Sequence, residues 1–264
     1  TADAGNLWKL QKDGFFRAIS SNTILGSVPR NLRGPNDEWV GIAKRARVIF
    51  YNPDTVSSDE IANLSYEDLS NEIWADRIVI RSSNNIYNQS LVASLISNIG
   101  IKETEEWAKG FVTNFARKPQ GNDRSQIMAV ANGEADIAIA NTYYYGLMLS
   151  GTAGVDQLNA AKKVKMLFPN QDNRGTHVNI SGAGILKFSK NPKNAEIFLE
   201  FLLSTDVQKH IVNNTFEYPV IDKVSPSSFI SQFGTTFIQD QTPASNFGKY
   251  NSEAIKLMDR VGWK

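Results

Sequence analysis

The stretch Ala135-Asp136-Ile137-Ala138-Ile139-Ala140-Asn141-Thr142-Tyr143-Tyr144-Tyr145-Gly146 joins a strand pattern to three consecutive tyrosines. Its first half alternates small and branched apolar residues, which predicts a buried β-strand. Thr142 is a suitable N-cap for a following helix, so we expect Tyr143 and Tyr144 in its first turn. Because open α/β sheets bind ligands at the carboxyl ends of their strands, this stretch is the predicted site.

Strands and helices alternate along the rest of the chain, which predicts an α/β fold with sheets flanked by helices. Predicted strands are 47–52, 77–81, 135–140 and 164–168, and predicted helices include 4–12, 103–116, 123–132 and 206–213. Residues 20–46 are rich in Ser, Asn, Pro and Gly, and we expect irregular structure there. Residues 150–162 are predicted to be loop or poor helix.

Three local interpretations bear on the site and on the core. Tyr87 is expected in a polar loop immediately before a helix N-terminus, the same setting as the tyrosine triplet. Asp123 and Gln126 have the spacing of a capping box, which assigns Asp123 to a helix cap. The helix that follows Asn191-Pro192 is expected to bury Ile197, Phe198, Phe201 and Leu202.

The composition excludes several classes of protein. With 28 basic and 27 acidic residues and no long run of one sign, the chain lacks the basic face that nucleic-acid binding requires. No window approaches the roughly 18 apolar residues of a membrane span. Cysteine is absent, which excludes disulfides, thiolate nucleophiles and iron–sulfur centres and fits, weakly, an oxidising compartment.

Most catalytic and metal-binding motifs are also missing. The two histidines, His177 and His210, lack zinc-site spacing, and we expect a hydrogen-bonding role for His177 and a surface position for His210. There is no G-x-S-x-G elbow or phosphate loop, and Gly182-Ala183-Gly184 lacks the context of a dinucleotide fingerprint. No convincing nucleophile or acid–base pair remains, so we expect no enzyme.

The tyrosines admit two interpretations. On spacing alone they are core and interface residues whose hydroxyl groups find partners. However, a helix N-terminus stabilises an anionic group, and two strand-end loops of one lobe can converge, so Tyr87 and the triplet suit phenolate ligands. Fe(III) favours anionic oxygen ligands strongly enough to displace the phenol proton near neutral pH. Adjacent residues in a helical turn point about 100° apart, so Tyr143 and Tyr144 can reach one ion while Tyr145 enters the core.

The sequence resembles the periplasmic ferric iron-binding proteins of bacterial ABC transporters, especially the cyanobacterial branch, over essentially its whole length. The tyrosine pair after a small-residue strand is the specific part of the resemblance. The matching stretches are Thr1 to Trp8, Trp39-Val40-Gly41, Arg45 to Val48, Ser83 to Tyr87, Asn132-Gly133-Glu134, Asn141 to Gly146, Arg174 to Asn179, Glu217 to Val220 and Gly262-Trp263.

This resemblance implies a two-lobed solute-binding fold with a hinge. Residues 1–46 and 175–223 would form the N-terminal lobe, and 47–174 and 224–264 the C-terminal lobe that carries the ligands. The relatives begin with a further segment that holds the first strands and a His or Tyr ligand. We therefore expect the N-terminal lobe to be incomplete and one ligand to be absent. A glutamate ligand of some relatives would fall near Ala2-Asp3 and is not matched.

Carried over residue by residue, the Fe(III) ligands would be Tyr87, Tyr143 and Tyr144. Arg47 would lie near the site as a cation that offsets phenolate charge. Asn141 falls where some relatives contact a synergistic anion. Here the Tyr87 phenolate would supply the ligand that the anion supplies in those relatives.

The implied function is ferric-ion binding in the periplasm and delivery to an inner-membrane ABC permease, by a monomer, with a lipid anchor left open. The alternative is the same scaffold with an organic or polyamine-like solute stacked on the tyrosines.

Overall fold

The computed structural model describes residues 2–232 and 236–264, which fold as helices around an eight-stranded sheet. The strands are β1 (Ala2–Asp3), β2 (Phe16–Arg17), β3 (Trp39–Tyr51), β4 (Ile78–Val79), β5 (Ile137–Asn141), β6 (Lys165–Leu167), β7 (Val178–Leu186) and β8 (Tyr218–Pro219). The α-helices are α1 (Ala4–Lys12), α2 (Asn22–Ser27), α3 (Ser58–Ile61), α4 (Ile86–Ile99), α5 (Ile101–Thr113), α6 (Asp123–Ala131), α7 (Thr142–Leu149), α8 (Val155–Lys163), α9 (Pro192–Leu202), α10 (Thr205–Thr215), α11 (Ser228–Ser231), α12 (Ser245–Lys249) and α13 (Asn251–Arg260). Short 3-10 segments are Arg30–Leu32, Glu67–Ser70 and Glu72–Trp74.

Strand β3 connects the two halves of the sheet. Its first half pairs antiparallel with β7 and β8, and its second half pairs antiparallel with β5 and β6. Strand β4 adds to β5 in parallel. One long strand therefore runs from the part of the sheet that carries β1 to the part that ends in the tyrosine triplet.

The hydrophobic core divides into three clusters around this sheet. The first lies under α4, α5 and α13 and includes Trp74, Trp107 and Trp263. The second packs α1, α2, α9 and α12 against the first half of β3 and β7. The third packs α6, α7 and α8 on the other face of the β3–β5 region and includes Phe216 and Tyr218. The division of the chain into two lobes at the predicted boundaries stays a prediction.

The middle of β3 and the residue that precedes β7 are joined by hydrogen bonds beside the tyrosine site. The backbone amide of Arg47 donates to the carbonyl of His177 at 3.0 Å. The Tyr66 hydroxyl accepts from the backbone amide of His177 at 3.2 Å and donates to the carbonyl of Arg47. Because Tyr66 is fully buried, one phenol links two segments that are far apart in sequence.

The prediction of irregular structure over 20–46 is wrong, and of the two alternatives for 150–162 the structure has the weakly amphipathic helix rather than the loop. Residues 20–46 contain α2 and the first half of β3, and 150–162 contain most of α8. The first half of β3 escaped detection because it is buried on both faces, so the alternation of apolar and polar residues that marks a half-buried strand is missing, whereas its second half was predicted as the strand 47–52. Helix α8 buries only two alanines, Ala160 and Ala161, and its apolar stripe is correspondingly weak.

Three of the four residues predicted to face inward on α9 are exposed, whereas the fourth, Leu202, packs on the core as predicted. Ile197, Phe198 and Phe201 are 57–60% exposed, whereas Leu199 is buried and Ala195 and Leu202 pack with it. Residues 195, 199 and 202 recur at helical spacing on one face, and the exposed residues lie on another. Both faces of α9 are apolar, so hydrophobicity alone could not select the inner one. No helix of the described residues is long and apolar enough to cross a bilayer.

Candidate metal centre

The tyrosine triplet lies at the start of α7, as predicted. Strand β5 is buried along its whole length and α7 begins directly at Thr142, with Asn141 as its N-cap residue in an extended conformation. Tyr143 and Tyr144 are half-buried in the first turn, and their ring centroids are 4.1 Å apart. Thr142 is the first helical residue rather than the N-cap, which shifts the predicted boundary by one position.

Tyr145 enters the core, also as predicted. Its side chain is 2% exposed, and its ring contacts Phe50 edge to face at 5.0 Å. Its hydroxyl donates to the backbone carbonyls of Ala161 at 3.1 Å and Val164 at 3.0 Å. These contacts tie α7 to the end of α8.

Tyr87 meets Tyr143 from a different helix. It is the second residue of α4, whose N-cap Asn85 accepts from the Tyr87 backbone amide at 3.1 Å. The prediction of a preceding loop is therefore wrong by one helical turn, because Asn85 starts the helix earlier than the apolar stripe does. The hydroxyl oxygens of Tyr87 and Tyr143 are 2.9 Å apart. We call Tyr87, Tyr143 and Tyr144 the phenol cluster.

Three guanidinium groups surround the ring of Tyr87. The centres of Arg45, Arg81 and Arg47 lie 5.3, 5.6 and 5.9 Å from the ring centroid, within cation–π range. Arg45 and Arg47 are two positions apart on β3, so their side chains point to the same face of the sheet. That i, i+2 spacing on a strand could have revealed Arg45 from the sequence. Arg81 comes from the loop after β4, and no local pattern links it to the other two.

Asp123 holds two of these arginines. Its carboxylate is fully buried, with ion pairs to Arg47 at 3.2 Å and Arg81 at 3.3 Å. The same carboxylate accepts from the backbone amide of Asn141 at 2.9 Å, which fixes the entry to α7. The predicted capping role of Asp123 is wrong, because Asn122 caps α6 in a capping box with Ser125.

Asn141 and Arg47 lie together beside the phenol cluster. The side-chain oxygen of Asn141 accepts from Arg47 at 3.1 Å. Its side-chain nitrogen is buried without a partner among the described residues, as are the Nε atoms of Arg45, Arg47 and Arg81. Buried polar groups usually have hydrogen-bond partners, so these donors are suited to bind an anionic group beside the phenol cluster.

Burial raises the pKa of the Tyr143 phenol far above its usual value, and hydrogen bonds with Tyr144 and Tyr87 add to this effect. Burial also raises the pKa of Tyr144. Both phenols are therefore protonated at neutral pH in the protein alone. A cation that binds them as phenolates must displace their protons, which requires a small ion of high charge.

The two histidines take no part in the cluster. His177 is buried, with its Nε2 atom 3.1 Å from the Ser90 hydroxyl and its ring edge on Phe247. Burial lowers its pKa to about 3. His210 is exposed on α10. Within residues 2–232 and 236–264, no group of three or more His, Asp or Glu side chains is placed to hold a metal ion.

Comparison with known sequences identifies the family. The family model described as bacterial extracellular solute-binding protein matches residues 3–232. The chain belongs to this family. Its mixed α/β structure has the fold of the periplasmic solute-binding proteins, as the sequence predicted.

Several members of the family are closely similar. Iron uptake protein A1 of Synechocystis is 45% identical over 264 residues, which is all of this chain and 72% of that protein. The structure of Trichodesmium FutA (IdiA) in complex with iron and citrate ligands is 51% identical, with a TM-score of 0.95, over 99% of this chain and 82% of that chain. The ferric binding protein from Campylobacter jejuni is 40% identical, with a TM-score of 0.91, over 100% and 83% of the two chains. The predicted resemblance to iron-binding proteins is thus confirmed.

Proposed function

We propose that this chain binds Fe(III) through the phenolate oxygens of Tyr87, Tyr143 and Tyr144. The observation that carries the proposal is the convergence of these side chains from the first turns of α4 and α7, with the Tyr87 and Tyr143 hydroxyls 2.9 Å apart. The names of similar proteins support it, since they include an iron uptake protein and a structure with bound iron and citrate.

The chemistry of the cluster favours Fe(III) over other metals. Three phenolates supply three negative charges, which match a trivalent ion. Fe(II), Zn(II) and Cu ions prefer softer or nitrogen-rich sites, and the described residues hold no group of three or more His, Asp or Glu side chains that could bind such an ion. Binding replaces a neutral, hydrogen-bonded cluster with a metal complex, and the iron–phenolate bonds must offset the free energy of removing the phenol protons.

Arg47 and Asn141 support the ligands rather than bind the metal. Arg47 places positive charge 5.9 Å from the Tyr87 ring and is held there by Asp123 and Asn141. It offsets the charge that the phenolates acquire. Asn141 presents its free side-chain nitrogen beside the first turn of α7, where it can donate to a further oxygen ligand of the ion.

A polyamine is disfavoured as the alternative solute. Arg45, Arg47 and Arg81 lie within 6 Å of the Tyr87 ring centroid and already occupy the cation–π positions that a stacked ammonium ligand would need there. A neutral or anionic organic solute remains the competing ligand, and it would bind without a metal.

Delivery to an ABC importer follows from the family. Binding of the ion would select a closed form of the two predicted lobes, 1–46 with 175–223 and 47–174 with 224–264. Arg47 and His177, which the Tyr66 hydroxyl contacts, lie close in sequence to the two boundaries that we propose between these lobes. The closed, loaded monomer would be recognised by a permease at the periplasmic side of the inner membrane, with no catalytic step.

Visible absorption tests the proposal. Addition of chelated Fe(III) to the iron-free protein should produce a phenolate-to-iron charge-transfer band, and ascorbate with a ferrous chelator should bleach it. A metal-free organic ligand produces neither change. Binding of an organic solute at the tyrosines together with a colourless ferric titration would overturn the iron assignment.

A further inference from the structure

A second polar groove lies behind the strand that carries the site arginines. Lys44 lines this groove together with Gln239, Gln241 and Asn31, and its volume is about 250 Å³. It opens into a further groove of about 610 Å³, with which it shares Pro29, Asn31 and Gln241. None of the three cluster tyrosines lines either groove.

The two sites occupy opposite faces of β3. Arg45 and Arg47 point toward Tyr87, as their distances to its ring demonstrate. Successive side chains of a strand alternate between faces, and the pairing of residues 44–46 with β7 is regular. Lys44 therefore points away from the phenol cluster.

Lys44 is a partly buried cation with a weak set of partners. Its Nζ atom donates to the side-chain oxygen of Gln239 at 3.3 Å, and among the described residues it has no ion pair within 4.0 Å. An ammonium group has three donors, so two remain available toward the groove. The carboxylate of Asp222 lines the same groove and is exposed to solvent. Asp222 acts on the charge of Lys44 without forming a close ion pair, so the partly desolvated ammonium group is left able to bind a small anion.

A second unsatisfied group lies on the same face. Tyr218 is directly opposite Lys44 in the β3–β8 pair, so both side chains leave the sheet on one side. Its hydroxyl is buried with no partner among the described residues. Its ring contacts Phe237, which also lines the groove. Lys44 and Tyr218 thus place a cationic and a neutral donor on the same side of the sheet, at paired positions of β3 and β8.

We propose that this groove binds a small carboxylate through Lys44. The ammonium group would donate to the carboxylate, and the side-chain amides of Gln239, Gln241 and Asn31 line the space around it. Asp222 disfavours ligands that carry several negative charges, so the preferred ligand is a monocarboxylate or an amino acid. The site is independent of iron binding and adds a second ligand class to this scaffold.

Acetate is the probe for this site, and the side-chain amide resonance of Gln241 is the reporter. The iron-free protein is titrated with sodium acetate against sodium chloride at equal ionic strength, in a nitrogen-15 NMR experiment. We expect a saturable shift with a dissociation constant on the order of 1 to 10 mM, as is usual for so small a ligand. Methylammonium should produce no saturable shift.

Three variants locate the binding. Lys44→Met should raise the dissociation constant about tenfold or more, because a charge-assisted hydrogen bond is lost. Gln239→Glu supplies an internal carboxylate to Lys44 and should abolish acetate binding even if Lys44→Met does not fold. Lys165→Met, which changes an exposed strand lysine, and Tyr143→Phe should leave acetate binding unchanged. A wild-type titration without a saturable shift, or unchanged acetate binding in Lys44→Met or Gln239→Glu, overturns the proposal.

Discussion

Two groups of tyrosines differ in what their hydroxyl groups contact. In the core, Tyr66 donates to the carbonyl of Arg47, and Tyr145 donates to those of Ala161 and Val164. In the phenol cluster, Tyr87 and Tyr143 contact each other. A phenol that donates to a backbone carbonyl must keep its proton, whereas a phenol paired with another phenol can lose it to a metal. The comparison separates structural tyrosines from ligand candidates within one triplet.

The largest expected effect concerns the ion pairs of Asp123 with Arg47 and Arg81, beside the phenol cluster. Asp123→Asn removes the charge that compensates Arg47 and Arg81 and leaves two guanidinium groups without their carboxylate. Loss of one partner from a buried ion pair costs about 3–5 kcal/mol in the free energy of unfolding. Urea denaturation measures this, with Asp172→Asn, an exposed aspartate, as the control. Equal stabilities of the two variants would contradict the assignment of Asp123 as the carboxylate that compensates Arg47 and Arg81.

The next effect contrasts neighbouring tyrosines directly. Tyr143→Phe should weaken Fe(III) affinity by more than about 100-fold, beyond the range seen when only a supporting group is lost. Tyr145→Phe should change that affinity by less than about threefold, because its hydroxyl faces the core. Competition with a ferric chelator measures both. Similar losses for the two variants would contradict the division of roles within the triplet.

The slope of Fe(III) affinity against pH gives the number of protons that the phenol cluster releases when iron binds. The raised pKa values of Tyr143 and Tyr144 keep both phenols protonated near neutral pH, so iron must displace at least two protons. Affinity should therefore rise with pH, by about tenfold per proton for each pH unit, and fall as the pH is lowered. Chelator competition between about pH 6 and pH 8 measures the slope, after correction for protonation of the competing chelator. A slope below one proton would be incompatible with phenolate ligands.

The smallest effect tests the core tyrosines. Tyr145→Phe deletes a hydroxyl that donates to two carbonyls, and it should lower the free energy of unfolding by about 1 kcal/mol. Tyr143→Phe should destabilise the iron-free protein less than this, since its hydroxyl contacts only other phenols. Thermal unfolding of both iron-free variants provides the measurement. A reversed order of stabilities would mean that the cluster is a packing feature.

Local sequence patterns predicted the position of the tyrosines but not the ion pairs of the charged residues around them. The buried run 137–141 and the helix start after it are visible in the sequence, and so is the inward turn of Tyr145. Arg81 and Asp123 meet only through the pairing of β4 with β5 and the packing of α6. Contacts between residues so far apart in sequence leave no periodic signal, which is why Asp123 was predicted to cap a helix.

Long-range pairing also explains the errors in the fold. Residues 39–46 contain Gly41, and their buried strand shows no alternation, so composition favoured a loop. A glycine at position 41 avoids a close contact, because a Cβ atom there would lie only 3.2 Å from the Cγ2 atom of Ile180 on the neighbouring strand. Helix α9 has apolar residues on both faces, and the choice of inner face depends on β7. Sequence reasoning succeeds where one element decides its own structure and fails where two elements decide it together.

Resonance Raman spectroscopy of the Fe(III)-loaded protein tests the central proposal most directly. With excitation in the visible band, only ring vibrations of iron-bound tyrosinates are enhanced. We predict phenolate ring modes that lose intensity in Tyr87→Phe, Tyr143→Phe and Tyr144→Phe and are unchanged in Tyr145→Phe. A loaded protein with no enhanced phenolate modes, or with modes that depend on Tyr145, would contradict the assignment of the phenol cluster as the iron site.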